Sequence, residues 1–168
     1  MKPNLRLATL GDVPAIMQVV SKAVAIMNAA GNFQWDETYP NPAYFGADIA
    51  KGDLWLAEEE GCVLGVIALT TEIPAEYAEA GWSVTDPALV PHRLVVDPAV
   101  RGRGLALLLM GKAEERAREL GLDKIRVDTS EVNTAMHRIF RKLGYIQKGT
   151  MHQPDCGDLL FLCYEKLL

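Results

Sequence analysis

One stretch constrains this chain more than any other: an apolar strand that runs into a glycine-rich turn and then a helix. It spans His92 to Ala106 and reads HRLVVDPAVRGRGLA. The apolar run Leu94-Val95-Val96 stops at Asp97-Pro98, and a short loop then leads into apolar residues at helical spacing. A helix start presents unpaired N–H groups and the positive end of the helix dipole. The stretch therefore predicts an anion site, most simply for a phosphate.

The loop itself supports this interpretation. Gly102 and Gly104 allow an anion to approach the main chain without a Cβ in the way, and Arg101 and Arg103 add positive charge. Two common phosphate loops do not match. The Walker A string GxxxxGK[ST] is absent from the sequence, and the dinucleotide fingerprint GxGxxG would need a glycine where Leu107 stands.

Composition limits the class of protein. With 168 residues, 49% hydrophobic and 23% charged, the chain suits a single domain over residues 1–168. A formal net charge of −5 argues against nucleic-acid binding and is compatible with a cationic substrate. No run of about 18 apolar residues predicts a membrane span. The three cysteines fit no disulfide framework or CxxC motif, so Cys62 and Cys163, in apolar runs, are predicted to be buried thiols in a reducing cytoplasm.

The hydrophobic periodicity predicts alternating strands and helices. Strands are expected at 4–8, 54–57, 62–71, 94–96, 124–129, 145–151 and 159–165, and helices at 13–30, 43–51, 105–120 and 132–143. Ser130 is the expected cap of the last helix. In that helix Val132, Met136, Ile139 and Leu143 are expected to form a core stripe, with Asn133, His137 and Phe140 on a neighbouring stripe.

The segment Gly31–Pro42, reading GNFQWDETYPNP, suits neither a helix nor a strand. Two interpretations are open. Its aromatic side chains fill the core beneath a loop, or Trp35, Asp36 and Tyr39 form a substrate wall whose flat apolar surfaces and carboxylates hold an ammonium group. Glu72, just after a predicted strand, is added to the candidate substrate-binding residues.

A resemblance to a known family covers the central stretch. The string from Arg101 to Ala106 resembles the R/Q-x-x-G-x-G/A signature of the GNAT superfamily, the acyl-CoA-dependent N-acetyltransferases, and LxVDP precedes it as in the family's fourth strand. The string from Asn133 through Ala135 to Leu143-Gly144-Tyr145 is similar to a later helix of the family. The resemblance is strongest over residues 90–147.

The resemblance implies an α/β (α+β) fold with a mixed, mostly antiparallel sheet of six to seven strands, about four flanking helices, and splayed fourth and fifth strands. It implies acetyl-CoA as cosubstrate, with the pantetheine arm paired to the fourth strand like an added strand and the pyrophosphate held by the loop. The cofactor-binding residues so implied are Leu94, Val95, Val96, Arg101, Gly102, Arg103, Gly104, Leu105, Ala106, Asn133 and Phe140.

The implied activity is acetyl transfer to a primary amine of a small molecule or peptide, by direct attack in a ternary complex. Because an amine of pKa near about 10.4 is mostly protonated at neutral pH, a base or water relay is needed. His92 is the first candidate base, since alternation would place it on the same strand face as Leu94 and Val96; a strand-end histidine without a catalytic role is the alternative. Glu72, acting through water, is the second candidate.

The sequence departs from the family at Phe140, where many members carry a tyrosine that protonates the departing thiolate. The thiolate then leaves unassisted, or Tyr145 or Tyr164 supplies the proton, or the chain is a catalytically weak acyl-CoA-binding regulatory module. No His, Cys or carboxylate spacing predicts a metal site. The identity of the amine, and whether the chain is a monomer or a homodimer, are left open.

Overall fold

The computed structural model describes residues 3–168, which form seven β-strands and four α-helices. The strands are β1 Asn4–Leu7, β2 Leu54–Glu59, β3 Cys62–Thr70, β4 Val90–Val96, β5 Lys124–Ser130, β6 Ile146–His152 and β7 Leu160–Leu167. The helices are α1 Val13–Ala29, α2 Pro42–Lys51, α3 Leu105–Glu119 and α4 Thr134–Lys142. Every predicted strand and helix is present, with ends shifted by a few residues.

The strands form two antiparallel sheets. The order in the first is β1-β2-β3-β4 and in the second β5-β7-β6. The predicted mixed, mostly antiparallel fold is thus confirmed, with its strands divided between two sheets. A parallel bridge joins Leu89, the residue before β4, to Ile125 of β5. Because β4 ends the order of its sheet, one of its backbone edges is not used by a strand of that sheet.

The chain forms two compact units, each with its own core. The first contains the residues up to Leu69 and the segment His92–Gly111. Its core brings together buried side chains of α1, α2 and the first sheet, among them Ile16, Val20, Phe45, Leu54, Leu56, Val66 and Val95. The second unit contains Thr70–Pro91 and Lys112–Leu168. Its core includes Tyr77, Val90, Met151, Phe161 and Cys163.

The helical segment Leu10–Ala29 is long and apolar enough, by length and composition, to cross a membrane. Polar residues interrupt its apolar positions, so the sequence here contains no continuous apolar run of that length. Ile16, Val19, Val20 and Ala23 on one face of α1 are buried in the core of the first unit.

The turn between β2 and β3 is tighter than predicted. The two strands stay paired as far as Glu59 and Cys62, so the turn consists of Glu60 and Gly61 alone, with φ angles of 52° and 78°. Two-residue hairpin turns favour positive φ at both positions because that matches the strand twist. Cys62 directly follows the turn and is exposed, so its predicted burial is wrong, whereas Cys163 is buried as predicted.

The start and the buried face of α4 also differ from the prediction. Ser130 is the last residue of β5, and Asn133 caps the helix by accepting a hydrogen bond from the Met136 N–H. His137 and Phe140 are the buried residues of α4, and Val132 is exposed. The predicted core stripe is therefore wrong, because the stripe of His137 and Phe140 is the one that packs inward.

Gly65 lets β3 and β4 approach closely. A Cβ at this position would lie 2.7 Å from the Val95 carbonyl oxygen and 3.2 Å from the Val96 Cα. Because both contacts are with backbone, Gly65→Ala is expected to destabilise the fold by about 1–3 kcal/mol through overpacking. Denaturant unfolding measures this. Gly111→Ala is the control. Gly111 lies in α3, and a Cβ added there would meet no atom within 4 Å, so this substitution should stabilise the fold by about 0.5–1 kcal/mol. Equal stability of the wild type and Gly65→Ala would contradict the close approach.

Candidate active site

The corner between β4 and the glycine-rich loop is fixed by Asp97. Its carboxylate accepts a hydrogen bond of 2.9 Å from the Ala99 N–H and one of 2.9 Å from Lys22 Nζ. The hydrogen bond from Lys22, reinforced by that from Ala99, holds the pKa of Asp97 below its usual value. The carboxylate therefore stays charged at neutral pH and ties α1 to the start of the loop.

The loop Arg101–Gly104 needs its glycines for conformation. Gly102 and Gly104 have φ angles of 82° and 76°, a region that L-residues rarely adopt. A Cβ on either glycine would meet no atom within 4 Å, so the space over the main chain is open. Helix α3 begins at Leu105, and its first N–H groups have no partner within the helix. An open glycine backbone at a helix start is an arrangement that accepts a phosphate group.

The two arginines of the loop have different surroundings. Arg103 donates two hydrogen bonds, of 2.9 and 2.8 Å, to the carboxylate of Glu59 at the end of β2. This hydrogen-bonded contact lowers the pKa of Glu59. Arg101 is exposed. Arg103 is thus anchored to the sheet, and Arg101 is the arginine with greater freedom to approach an anion.

Strand β4 presents its backbone at the edge of the sheet. Val95 is buried, whereas Leu94 and Val96 are partly exposed, in keeping with strand alternation. The N–H of Asp97 donates to the Leu64 carbonyl oxygen at 2.8 Å, which fixes the end of β4 on β3. An edge strand held in this way can pair with an extended ligand through main-chain hydrogen bonds.

Arg93 interrupts the regular geometry of β4. Its φ angle is 51°, and its guanidinium forms an ion pair with Asp48 of α2 at 2.6 Å. Burial opposes the charge of Arg93, but its hydrogen bonds to Asp48 outweigh this and raise its pKa. No local sequence pattern signals this pair, because its partners lie 45 residues apart. His92, the residue before this left-handed position, is partly buried.

The segment Gly31–Pro42 combines features of both interpretations. Trp35 is only 8% exposed and belongs to the core of the first unit, as the core-filling interpretation expects. Tyr39 is partly buried and meets Trp35 edge to face at 6.4 Å between ring centroids. Asp36 is exposed, and its carboxylate accepts hydrogen bonds from the Thr38 hydroxyl and N–H, which lower its pKa.

In the second unit Asn133 has a clear structural role. Its side-chain oxygen caps α4 through the Met136 N–H, and its Nδ2 donates to Thr129 Oγ1 at 2.9 Å. The side chain still has one N–H and one lone pair for a further partner. A helix-capping asparagine is therefore compatible with the contact to pantetheine that the sequence implied.

His137 and Tyr164 form a buried pair that sequence reasoning did not find. The Tyr164 hydroxyl lies 2.9 Å from His137 Nδ1, and His137 Nε2 lies 3.1 Å from the Glu131 carbonyl oxygen. Since a carbonyl only accepts, Nε2 carries a proton. His137 is only 6% exposed, so its imidazole lies in the interior of the second unit and not on the surface. The two partners are distant in sequence, so no local pattern signals the pair.

Phe140 and the two candidate tyrosine acids lie together in the core of the second unit. Phe140 is 1% exposed, and its ring centroid lies 5.7 Å from that of Tyr145 and 5.1 Å from that of Tyr164. The Tyr145 hydroxyl is buried without a hydrogen-bond partner among the described residues. Burial raises the pKa of Tyr145 well above its usual value. Neither tyrosine hydroxyl is therefore exposed as a ready proton donor.

A second polar cluster joins the turn Ala75–Ala78 to β5. The Tyr77 hydroxyl donates to Asp128 Oδ1 at 2.8 Å, and Gln153 Nε2 lies 3.3 Å from Asp128 Oδ2. Desolvation raises the pKa of Asp128 to about 6. Glu72, which follows β3, is exposed, and its N–H donates to Thr70 Oγ1.

The raised pKa of Asp128 predicts that the stability of the fold falls as the pH rises. Because folding raises its pKa from 3.8 to about 6, its favourable contribution is complete below pH 3.8 and is lost as the pH rises through 6. Asp128→Asn keeps the shape without the charge. The free energy of unfolding of the variant, relative to that of the wild type, should be about 1–3 kcal/mol higher at pH 8 than at pH 4. Urea unfolding at both pH values measures this, and a difference that does not change with pH would contradict it.

The described residues contain no group of three or more His, Cys, Asp or Glu side chains placed to hold a metal ion. The arrangement at β4, the loop and α3 instead combines a strand edge, an open glycine backbone and the start of a long helix. These features suit an extended ligand with a phosphate group.

Comparison with known proteins identifies the family. The model of the acetyltransferase (GNAT) family matches residues 24–145, which include β4, the loop and α3. The chain belongs to the GNAT acetyltransferase family. It is accordingly an acyltransferase.

Two relatives of this GNAT chain have names that describe activity on amino acids. It is 29% identical to the L-methionine sulfoximine/L-methionine sulfone acetyltransferase of Pseudomonas paraeruginosa, over 91% of this chain and 86% of the relative. It is 27% identical to the L-amino acid N-acyltransferase MnaT of Escherichia coli, over 89% and 83%.

Solved structures agree with the fold. A GNAT-family acetyltransferase from Streptococcus agalactiae superposes with a TM-score of 0.85 and 28% identity, covering 99% of this chain and 95% of that one. YncA from Salmonella typhimurium, solved with acetyl-CoA, has a TM-score of 0.71 at 21% identity, covering 100% and 95%. The second likeness concerns the fold alone. Acetyl-CoA is the acyl donor that the GNAT family uses.

Proposed function

We propose that this GNAT enzyme transfers the acetyl group of acetyl-CoA to the primary amine of a free amino acid or a closely related small molecule. The observation that carries the acetyl-CoA part is the order of strand edge, open glycine loop and helix start within the segment His92–Gly111 of the first unit. The amino-acid part is supported by the names of the two relatives, each matched over more than four-fifths of its length.

The residues present fit the cosubstrate. The left-handed glycines Gly102 and Gly104 leave the main chain open, and a Cβ at either would occupy the space that an anion needs. In the proposal the N–H groups from Arg101 to Ala106 hold the pyrophosphate. The edge of β4 at Leu94–Val96 pairs with the pantetheine arm. Acetyl-CoA supplies an activated acetyl thioester.

The chain's own task is to present the amine without its extra proton. We assign this role to His92 on β4, with Glu72 acting through water as the second candidate. His92 lies next to Arg93 and two residues before the cofactor-pairing backbone, on a strand fixed to β3. Holding the two reactants together in a ternary complex supplies much of the remaining acceleration.

The departing thiolate needs no tyrosine in this proposal. Phe140 has no proton to give, and the hydroxyls of Tyr145 and Tyr164 are buried in the second unit. A thiol has a reference pKa of about 8.5, so a thiolate is a stable leaving group near neutral pH. We therefore propose that the thiolate leaves unassisted.

The acceptor is proposed to bind along the segment Gly31–Pro42. Asp36 is an exposed carboxylate there and can attract an ammonium group, while Tyr39 offers a partly buried aromatic ring. Trp35 supports Tyr39 from the core rather than lining the surface. The whole chain, residues 1–168, is proposed to be one N-acetyltransferase domain that works in the cytoplasm; its first two residues lie outside the described part.

A panel of amines with acetyl-CoA tests the acceptor. The panel contains L-methionine sulfone, L-methionine sulfoximine, other L-amino acids, spermidine and a short peptide, and release of free thiol is followed. The proposal expects amine-dependent release with one or more free amino acids and formation of the N-acetyl product by mass spectrometry. Release with the peptide or the polyamine alone would overturn the amino-acid part and leave the acetyl-CoA part intact.

A further inference from the structure

Arg93 has a backbone conformation that its position in a strand does not require. Among the described residues, Glu60 and Arg93 are the non-glycine residues with positive φ, at 52° and 51°. Glu60 lies in a two-residue hairpin turn, where this conformation matches the strand twist. Arg93 lies inside β4, where an extended backbone is the rule. A residue held in this way indicates that its surroundings impose the conformation.

The side chain of Arg93 is held by several contacts. Nε and Nη2 donate to the two carboxylate oxygens of Asp48 at 2.7 and 2.6 Å, and Nη1 lies 3.3 Å from the Tyr39 hydroxyl. The guanidinium also lies over the Tyr44 ring, 5.8 Å from its centroid. The side chains of Arg93 and Asp48 are 13% and 10% exposed. We call this set of Arg93, Asp48 and Tyr39 the Arg93 latch.

A buried ion pair of this kind is better suited to fixing one conformation than to adding stability. Desolvation of two charges offsets much of their attraction, but a bidentate pair tolerates little change in geometry. Asp48 belongs to α2, whose start is capped by Asn41 and whose Phe45 lies in the core. The latch therefore connects the backbone of β4 at Arg93 to a helix that is itself fixed.

We propose that Asp48 is a positioning residue for acetyl transfer: through Arg93 it holds the left-handed kink of β4. The kink lies between His92, the proposed base, and Leu94, the first residue of the proposed cofactor-pairing edge. If residue 93 relaxed to an extended backbone, the side chains and N–H groups on one side of it would turn relative to those on the other. This inference rests on the proposed function.

Two double variants separate the kink from the side chain. Asp48→Asn/Arg93→Gly and Asp48→Asn/Arg93→Ala both lack the ion pair and leave no unpaired buried charge. Only glycine adopts a positive φ without a penalty. We expect kcat of the glycine variant to exceed that of the alanine variant by about tenfold, the ratio that the left-handed penalty of an L-residue implies. Adding Arg93→Gly to Asp48→Asn should likewise restore part of the lost kcat.

Equal kcat values in the two double variants would overturn the proposal. If both are equally low, the Arg93 side chain itself is needed at the site; if both match the wild type, the kink is not needed. A stability difference alone does not mimic the expected result, since kcat is measured on the folded fraction determined by circular dichroism.

A structural measurement keeps the inference separate from the proposed function. The three-bond coupling between the amide proton and Hα of residue 93 reports φ in the wild type, in Asp48→Asn and in the double variants. We expect the left-handed value in the wild type and its loss in Asp48→Asn/Arg93→Ala. An unchanged coupling there, or in Asp48→Asn if the double variants do not fold, would overturn the latch. If the wild type transfers no acetyl group, the proposed function fails and the coupling still tests the latch.

Discussion

Gly104→Val is expected to weaken binding of acetyl-CoA at least about tenfold. Valine at a φ angle of 76° is strained by about 1–2 kcal/mol, and its side chain would occupy the open space above the loop backbone. Both effects act on the N–H groups proposed to hold the pyrophosphate. Isothermal titration calorimetry with CoA, on protein shown to be folded by circular dichroism, measures the change.

Gly121→Val is the matched control for this variant. Gly121 follows α3, has a φ angle of 70°, and also has no atom within 4 Å of a Cβ. The backbone penalty should be the same as at Gly104, so both variants should lose about 1–2 kcal/mol of unfolding free energy. Only Gly104→Val should lose affinity for CoA. Equal affinities of the two variants for CoA would show that the loop is not part of the binding site.

His92→Gln is expected to lower kcat by about a hundredfold, the smaller end of what a general base contributes. Glutamine keeps a polar side chain of similar length but does not accept a proton in the neutral pH range. The KM for acetyl-CoA should change little, because the proposed contacts to that substrate are made by the β4 backbone and the loop.

His152→Gln serves as the control for the histidine variant. His152 is exposed on β6, with Nδ1 at 3.3 Å from Glu79 Oε2, and it has no assigned role in the transfer. Its kcat should equal that of the wild type. If His92→Gln keeps full activity while Glu72→Gln loses it, the base is Glu72 acting through water, and the assignment to His92 is wrong.

Patterns of residues close in sequence were sufficient to predict the strands and helices. The apolar stripe of α1, the glycine at the end of α2 and the paired runs of β2 and β3 each depend on residues close in sequence. The glycine loop was found for the same reason. Its two positive φ angles follow from Gly102 and Gly104 themselves.

The features that were missed depend on residues far apart in the sequence. Arg93 reads as a polar residue in a strand, and its partner Asp48 lies 45 positions earlier. His137 reads as a surface residue of a short helix until Tyr164, 27 positions later, supplies a partner for Nδ1. Cys62 lies in an apolar run and is still exposed, because it directly follows the turn. Partners of this kind require the tertiary structure.

Calorimetric titration of the folded wild-type protein with acetyl-CoA tests whether the loop holds the pyrophosphate of the cosubstrate. We expect saturable binding at one site per chain, with markedly weaker binding of acetylated pantetheine, which lacks the pyrophosphate that the loop at Arg101–Ala106 is proposed to hold. Absence of acetyl-CoA binding would rule out the proposed cosubstrate site, and equal affinities for the two ligands would rule out a role of the loop in it.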